Sequence, residues 1–219
     1  ALDQPWCRTL ATHLGHFDTG EEKELRQGRR YAVARRLAGL FASYARQRPR
    51  LLADWLDGTV VDLDSDLQWQ PHLWRALVDA LAIDPPHVRH AKTVVQLQES
   101  GAELPARLSL FGYTRLASTD IELIEALATH HEVHLWLPHP SADLWTALAG
   151  VHGTIPRAED LTHRRVNHPL LATLGRDLRE LQRSLPTTVA SDEFLGSAGY
   201  PDTLLGWLQS DIAANQVRP

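Results

Sequence analysis

The chain has 219 residues, 43% of them hydrophobic and 22% charged, with a formal net charge of −5. This composition is typical of a globular protein of one or two domains, and it excludes a disordered chain, a collagen and a coiled-coil rod. No apolar run reaches the roughly 18 residues of a membrane span, and no basic and apolar leader opens the sequence. We therefore expect a soluble, cytoplasmic protein that does not contact a membrane.

Cysteine, methionine and charge are distributed unevenly. Cys7 is the single cysteine, so no internal disulfide can form, as expected in a reducing compartment. Methionine is absent, which we interpret as a sign that the chain is a piece of a longer protein. Residues 1–50 carry a net charge of +5 and residues 51–219 a net charge of −10. The basic first quarter indicates a polyanionic partner on one side of the molecule.

The first hundred residues have the pattern of helices joined by short loops. Predicted helices cover residues 6–14, 31–46, 51–56, 71–81 and 87–99. In the helix at 31–46 a 3.6-residue period predicts a buried face made of Val33, Leu37, Leu40, Phe41 and Tyr44. The same period predicts an opposite, exposed face made of Arg35, Gly39, Ala42 and Arg46. The helix at 87–99 is predicted to bury Val88, Ala91, Val94, Val95 and either Leu97 or Gln98.

The pattern changes near residue 100. We predict a buried strand at 107–112 and a second strand at 133–137, joined by a helix that a capping box of Thr119 and Glu122 opens. Strand, helix and strand form a βαβ unit, which implies two parallel strands. Further helices are predicted at 169–185 and 201–214. The predicted fold class is mostly α with a small parallel α/β part, divided into a helical module at 1–100 and an α/β module at 101–219. Two strands are few for a sheet, so either further strands lie outside this chain or the chain is largely helical.

Several common catalytic and binding motifs are absent. Neither lysine belongs to a phosphate-binding loop, no dinucleotide fingerprint follows the strand at 107–112, and no G-x-S-x-G elbow occurs. We therefore predict no catalytic residue and no cofactor.

Three weaker patterns are interpreted structurally. A histidine group could suggest a metal, but its spacing favours polar positions at a helix end and on a sheet face: His130, His131, His134 and His139. Cys7 has no histidine placed beside it by the sequence, so it is not expected to be a nucleophile. The acidic run lacks the glycine and the distal glutamate of a calcium loop, which favours a solvated loop at Asp62, Asp64 and Asp66.

The segment 26–50 is the best candidate for binding nucleic acid. Arg35 and Arg46 lie on the exposed helix face with the small residues Gly39 and Ala42 between them, which would let a strand approach closely. Arg48 follows just past the helix end, and the planar guanidinium suits phosphates and guanine edges. The alternative is a solvated basic face on an ordinary packed helix.

Residues 34–49, Ala-Arg-Arg-Leu-Ala-Gly-Leu-Phe-Ala-Ser-Tyr-Ala-Arg-Gln-Arg-Pro, resemble the RecC family, the gamma subunit of bacterial exodeoxyribonuclease V. Further segments are similar to that family in the same order, among them a Trp-x-x-Gly turn and a His-Pro-Leu-Leu segment: 52–58, 69–77, 104–112, 133–140, 168–177 and 208–212. The resemblance covers nearly the whole chain, and the arginine-rich composition has an actinobacterial character.

The resemblance implies a noncatalytic, helicase-shaped subunit that has lost its ATPase motifs. Such a subunit joins the RecB and RecD motors, helps to split forked DNA, and guides the 3′-ended single strand through a tunnel in which the Chi hotspot is recognised. The chain would then be an internal fragment: an all-helical insertion at 1–100 and part of a helicase-like, P-loop NTPase-like domain at 101–219. The family's opening strands would precede it.

The resemblance also implies positions in the tunnel. Leu40 and Arg48 match tunnel positions of the family, and a tunnel arginine of the family aligns with His90, beside Arg89. With the exposed arginines of the same helix, the predicted DNA-binding residues are Arg35, Leu40, Arg46, Arg48, Arg89 and His90. Gly39 and Ala42 replace acidic residues of well-known members, which removes acceptors for base amino groups such as cytosine N4. We therefore expect a different hotspot, or none.

Two other functions remain as hypotheses. The region could be a scaffold that docks RecB without touching DNA. It could also be an independent α/β enzyme that uses a nucleotide, which the missing phosphate loop disfavours.

Overall fold

The computed structural model describes residues 2–59, 63–186, 192–196 and 199–218. The chain divides into two compact units, Ala1–Glu99 and Ser100–Pro219, here called unit 1 and unit 2. The described residues are mostly helical and contain one two-stranded parallel sheet. The expected content, mostly α with a small parallel α/β part, is confirmed.

Unit 1 is built from helices. A 3-10 helix at Pro5–Cys7 leads into α1 (Arg8–His13), and the remaining helices are α2 (Gly20–Gln27), α3 (Arg30–Gln47), α4 (Pro49–Leu56), α5 (Trp69–Leu81) and α6 (Pro86–Ser100). The predicted helices are confirmed within one or two residues at most ends, whereas α2 is a helix that the sequence analysis missed. Pro49 starts α4, where its missing N–H costs nothing, and it thereby separates α4 from α3.

The core of unit 1 is aromatic. Phe41 of α3 packs with Trp74 of α5 at 5.3 Å between ring centroids, and Leu52, Trp55 and Leu73 complete the buried cluster. The indole N–H of Trp74 donates to the Leu52 carbonyl over 3.1 Å, which satisfies the polar atom of a buried ring. Three helices, α3, α4 and α5, are therefore joined through one cluster.

The buried side predicted for α6 is wrong. None of the residues described in α6 is buried, and Val95 is 49% exposed. Apolar periodicity shows that a helix has an apolar face, but it does not show that the same unit covers that face.

The described residues of unit 2 form two strands and five α-helices. The strands are β1 (Arg107–Phe111) and β2 (Glu132–Trp136), and the helices are α7 (Ser118–Leu127), α8 (Ala142–Ala147), α9 (Pro169–Thr173), α10 (Arg176–Ser184) and α11 (Leu204–Ala213). A 3-10 helix covers Thr162–Arg165. The strands pair in parallel with Arg107 opposite Glu132 and Phe111 opposite Trp136, so the predicted βαβ unit is confirmed.

The expected burial of the strand at 107–112 is wrong on one face. Side chains alternate across a strand, and Leu108 and Leu110 are half-buried while Arg107, Ser109 and Phe111 are exposed. The Phe111 ring is 67% exposed and stacks on Trp136 with 5.5 Å between centroids. An apolar run alone does not distinguish a strand buried on both faces from one buried on a single face.

Two helix predictions in unit 2 are also corrected. The N-cap of α7 is Ala117, without a side-chain hydrogen bond, and Thr119 is buried inside the first turn, so the predicted capping box is wrong. The predicted helix at 169–185 is two helices, α9 and α10, which meet at Gly175. The Leu171 carbonyl accepts from the Gly175 N–H and also from the buried Arg179 side chain. A Cβ at Gly175 would lie 2.5 Å from that carbonyl oxygen, so the junction between the two helices requires glycine.

Unit 2 buries charged side chains next to its apolar cluster of Leu144, Leu148, Val166 and Leu171. Arg183 Nη1 lies 3.1 Å from Asp160 Oδ1, and both side chains are nine-tenths or more buried. The Thr162 hydroxyl donates to the same Asp160 oxygen and accepts from Arg179 Nε. Buried charges paired in this way hold α10 against the 3-10 helix.

Candidate nucleic-acid interface

Helix α3 has two chemically different faces. Phe41 is buried, Leu37 and Tyr44 pack against the core of unit 1, and the Tyr44 hydroxyl donates to Gln70 over 3.2 Å. These contacts fix the rotation of the helix about its own axis. The opposite face is therefore held towards solvent.

The exposed face of α3 carries the predicted arginines. Arg35, Gly39, Ala42 and Arg46 are all exposed, as the sequence pattern predicted. A Cβ placed on Gly39 would meet nothing within 4 Å, so the glycine leaves open space at the middle of the face. No acidic residue occurs between Glu24 and Asp54, so the whole helix is free of carboxylates. The face is thus cationic, narrow in the middle and accessible.

Arg48 lies at the corner between two helices. Its backbone N–H donates to the Tyr44 carbonyl and closes α3, and its carbonyl accepts from Leu51 N–H at the start of α4. The side chain is exposed, and none of the ion pairs found among the described residues includes it. A rigid backbone therefore carries an accessible guanidinium about two residues beyond Arg46.

Leu40 is half-buried. At 100° per residue it lies about 40° from Tyr44 and about 60° from Leu37 around the helix axis, but about 120° from Arg46 and about 140° from Arg35. Leu40 is therefore on the core side of α3, as the sequence pattern predicted, and not beside the arginines.

Arg89 and His90 lie on α6, where Arg89 is exposed and His90 is half-buried. The principal helix packing in unit 1 joins α3 to α4 and α4 to α5. Arg35 and Arg46 lie on α3 and Arg48 directly follows it, whereas Arg89 and His90 are on a helix with no buried residue.

The described residues do not form the other sites considered from the sequence, which are a metal site, a cysteine nucleophile and a calcium loop. In the part of the chain that the structure describes, no group of three or more His, Cys, Asp or Glu side chains could hold a metal ion. His131 pairs with the Pro105 carbonyl, His134 with Glu132 and His139 with the Ser141 amide, so these three histidines have separate partners. Cys7 is buried, and burial raises the pKa of its thiol, which is opposite to what a nucleophile needs. Asp64 and Asp66 are exposed, and Asp62 lies outside the described residues.

Among the helices described, none combines the length and the apolar character that a membrane span requires.

Comparison with known proteins identifies the family. The family model for the N-terminal domain of RecC matches residues 1–215. The chain belongs to the RecC family. The resemblance that the motifs at 34–49 and 168–177 indicated is thereby confirmed.

Individual relatives agree with the family model. The RecBCD enzyme subunit RecC of Mycolicibacterium smegmatis is 69% identical over 219 residues, and that of Mycobacterium tuberculosis H37Rv is 66% identical over 223 residues; each match covers the whole chain. The corresponding subunit of Escherichia coli K12 is 28% identical over 244 residues and covers 92% of the chain. The much higher identity to the mycobacterial proteins confirms the actinobacterial character. The chain spans about a fifth of the length of these RecC proteins.

One exposed residue on the candidate interface of this RecC-family chain was not predicted from the sequence to bind nucleic acid. Tyr31 is 76% exposed in the first turn of α3. It precedes Arg35 by four residues, and side chains at that spacing are neighbours on a helix surface. The spacing could have been found in the sequence, but the tyrosine was counted only as the start of the helix.

Proposed function

We propose that the chain is part of a noncatalytic subunit of a RecBCD complex, which guides the 3′-ended single strand past α3 during repair and recombination of broken DNA. The subunit would join RecB and RecD, contact single-stranded and forked DNA, and act in the cytoplasm. The observation that carries the proposal is the accessible face of α3. It presents Arg35 and Arg46 beside small residues on a helix without a carboxylate, and Arg48 is exposed at the end of that helix.

The chemistry of single-strand binding supports this role. A strand is held by cations that neutralise its phosphates, and each contact releases bound counterions. Arg35 and Arg46 are 11 residues apart, which is about 16 Å along a helix. That length matches several nucleotides of a strand, so the two guanidinium groups would contact different phosphates.

We also propose that residues of α3 take part in recognising a hotspot sequence, as Chi is recognised in the family. Base reading requires donors and acceptors aimed at base edges. Gly39 and Ala42 provide neither, so a hotspot read at α3 would differ from one read by carboxylates. Leu40 is proposed as an apolar contact from the family resemblance alone, because it lies on the other side of α3.

Arg48→Ala tests the site. In the intact subunit, within its complex, we expect weaker retention of a single-stranded oligonucleotide and a weaker hotspot response, because one phosphate contact is lost. The slope of log K against log salt should fall by about one. Arg8→Ala is the matched control, since Arg8 is exposed on α1 of the same unit. Equal behaviour of the two variants in binding and processing would show that Arg48 does not contact DNA.

We further propose that unit 1 corresponds to the helical insertion and unit 2 to part of a helicase-like, P-loop NTPase-like domain whose nucleotide motifs are lost. The parallel strands β1 and β2 with α7 between them support this assignment. A thermal-shift titration of the intact subunit with ATP and with NAD should show no stabilisation. Stabilisation by either nucleotide would instead favour the independent enzyme.

A docking role is the second candidate, and α6 favours it. Val95 is 49% exposed on a helix without a buried residue, which is consistent with a surface covered by RecB. A photocrosslinker at Val95 should then react with RecB, whereas a crosslinker at Ala42 should react with DNA. If both positions crosslink to RecB and neither crosslinks to DNA, the docking role is supported and the proposal that DNA passes along α3 is wrong.

A further inference from the structure

We infer that Tyr31 is a base-stacking residue, which extends the single-strand site on α3 by one turn towards the start of the helix. The inference rests on the proposed function, because it assumes that a strand runs along this face. It adds a residue type, an aromatic ring, that neither the sequence motifs nor the relatives' names assign.

The exposure of Tyr31 is the first observation. Helix α3 has three aromatic residues, of which Phe41 is 5% exposed and Tyr44 packs against the same core, whereas Tyr31 is 76% exposed. Within the described residues Tyr31 takes part in no ring contact, hydrogen bond or ion pair. Nothing in unit 1 therefore explains why a large ring is present there.

The position of Tyr31 on the helix is the second observation. At 100° per residue, Tyr31 lies about 40° from Arg35 and about 60° from Arg46 around the helix axis. Ala42 lies between them, and Phe41 is on the other side. Tyr31 is therefore on the cationic face, roughly 6 Å along the axis from Arg35 and roughly 22 Å from Arg46.

Charge is the third observation. Arg29 is the N-cap of α3 and Arg30 its first residue, and the first turn has no acidic residue. The positive end of the helix dipole disfavours cations at this place, so an anion bound beside Tyr31 would relieve the conflict. A phosphate of the strand is such an anion.

These observations favour a nucleic acid over a protein as the occupant. Single-strand sites combine a cationic groove with aromatic rings on which bases stack, and the small residues between Tyr31 and Arg46 leave room for the strand. A site for a protein would be expected to have large apolar or aromatic side chains at its centre, whereas the centre of this face has only the small residues Ala38, Gly39 and Ala42.

The test uses the intact subunit in its complex and measures the affinity for an oligothymidylate at several salt concentrations. Tyr31→Ala should weaken binding about 5- to 100-fold, the range for one lost stack, with an unchanged salt slope. Tyr31→Phe should bind like the unmodified protein. Arg35→Ala should weaken binding and lower the slope by about one. Phe17→Ala, at a 58% exposed aromatic residue outside α3, is the matched control and should change nothing.

A strand with abasic sites gives a second measurement. An oligonucleotide in which every base is removed should bind Tyr31→Ala and the unmodified protein equally, because no base is left to stack.

The outcomes separate the inference from the proposed function. If Arg35→Ala and Arg48→Ala weaken binding while Tyr31→Ala matches Phe17→Ala, the stacking role is wrong and the DNA path stands. If none of these variants changes binding, the DNA path itself is wrong. A Tyr31→Ala effect that persists with the abasic strand, or that releases a protein subunit instead of DNA, would also overturn the inference.

Discussion

The two units treat their charged side chains in opposite ways. In unit 1 the buried cluster is apolar and aromatic, and the arginines of α3 remain on the surface. In unit 2, Arg179 and Arg183 are 4% and 3% exposed and are enclosed with Asp160 and Thr162. The same residue type therefore has two roles in one chain.

This difference shows which arginines can serve a polyanion. A guanidinium buried beside a carboxylate inside the protein is inaccessible to a phosphate, and removing its partner leaves an uncompensated charge. Burial alone would raise the pKa of Asp160, but hydrogen bonds from Thr162 and the charges of Arg183 and Arg179 outweigh it and lower the pKa. Arg179 and Arg183 of unit 2 hold the fold, whereas Arg35 on α3 and Arg48 just after it are exposed.

Breaking the buried pair should have the largest effect. Asp160→Asn keeps an oxygen for Thr162 but leaves the Arg183 charge without its counter-ion. We expect unit 2 to lose about 3–5 kcal/mol of unfolding free energy. Chemical denaturation measures the loss, and hydrogen exchange should locate it in unit 2 only.

An exposed pair in the same unit is the control. Arg218 lies 3.2 Å from Asp211, and its side chain is 48% exposed. Arg218→Ala should cost no more than about 1 kcal/mol, because solvent screens such pairs. A similar cost for Asp160→Asn and Arg218→Ala would mean that the comparison between buried and exposed arginines is wrong.

Acid should destabilise unit 2 through His139, an effect of intermediate size. Burial lowers the pKa of His139 to about 4, and its ring packs edge-on against Trp145 with 5.0 Å between centroids. Because the folded pKa lies below the unfolded value of about 6.5, the contribution is fully present above pH 6.5 and is lost as the pH falls towards 4. Hydrogen exchange between pH 7 and 4.5 should show unit 2 losing about 2–3 kcal/mol relative to unit 1.

His139→Asn isolates this effect, because the amide oxygen still accepts from the Ser141 N–H and does not titrate. The variant should lose ring packing at pH 7 but show a flat profile down to pH 4.5. His152→Asn, at an exposed loop position, should keep the profile of the unmodified chain. A persistent acid slope in His139→Asn would assign the effect to other groups.

Local pattern predicted much of unit 1. The spacing of Val33, Leu37, Phe41 and Tyr44 predicts both the helix and its buried side. The residues on the opposite side are then predicted to be exposed. Arg35 and Arg46 could therefore be assigned from sequence alone. Arg48 lies beyond the period of the helix, so the sequence indicated it only as an arginine just past the helix end, and the family resemblance added its match to a tunnel position.

The wrong predictions share one cause. The spacing of apolar residues shows that an element has an apolar face, but it does not show which other residues pack against that face. The apolar face of α6 and the Phe111 side of β1 are exposed because the described residues of each unit do not cover them. The break at Gly175 depends on the Leu171 carbonyl and on Arg179, whose burial no local pattern indicates. Tyr31 was not predicted for a different reason. Its four-residue spacing from Arg35 is evident in the sequence, but the sequence does not show that the ring is left out of the core.

Two open glycines of unit 1 provide the smallest expected effect. Neither Gly39 nor Gly58 would place a Cβ within 4 Å of another group, but Gly58 has φ +80 and Gly39 is helical. Gly39→Ala should stabilise unit 1 by about 0.5–1 kcal/mol, because alanine loses less backbone freedom on folding. Gly58→Ala should destabilise it by about 1–2 kcal/mol, because a side chain strains the left-handed conformation. Denaturant midpoints of the two variants measure both signs.

Combining stability with strand binding connects Gly39 to function. Gly39 lowers the stability of an exposed helix, and no neighbouring group in the structure requires a glycine there. A DNA strand that passes close to the helix would explain why a glycine is present. Gly39→Ala should then raise stability and lower single-strand affinity in the same protein, whereas Gly58→Ala should alter stability alone. A stabilised Gly39→Ala variant with unchanged affinity would mean that the strand does not approach the middle of α3, and the contacts would be confined to the arginines at its two ends.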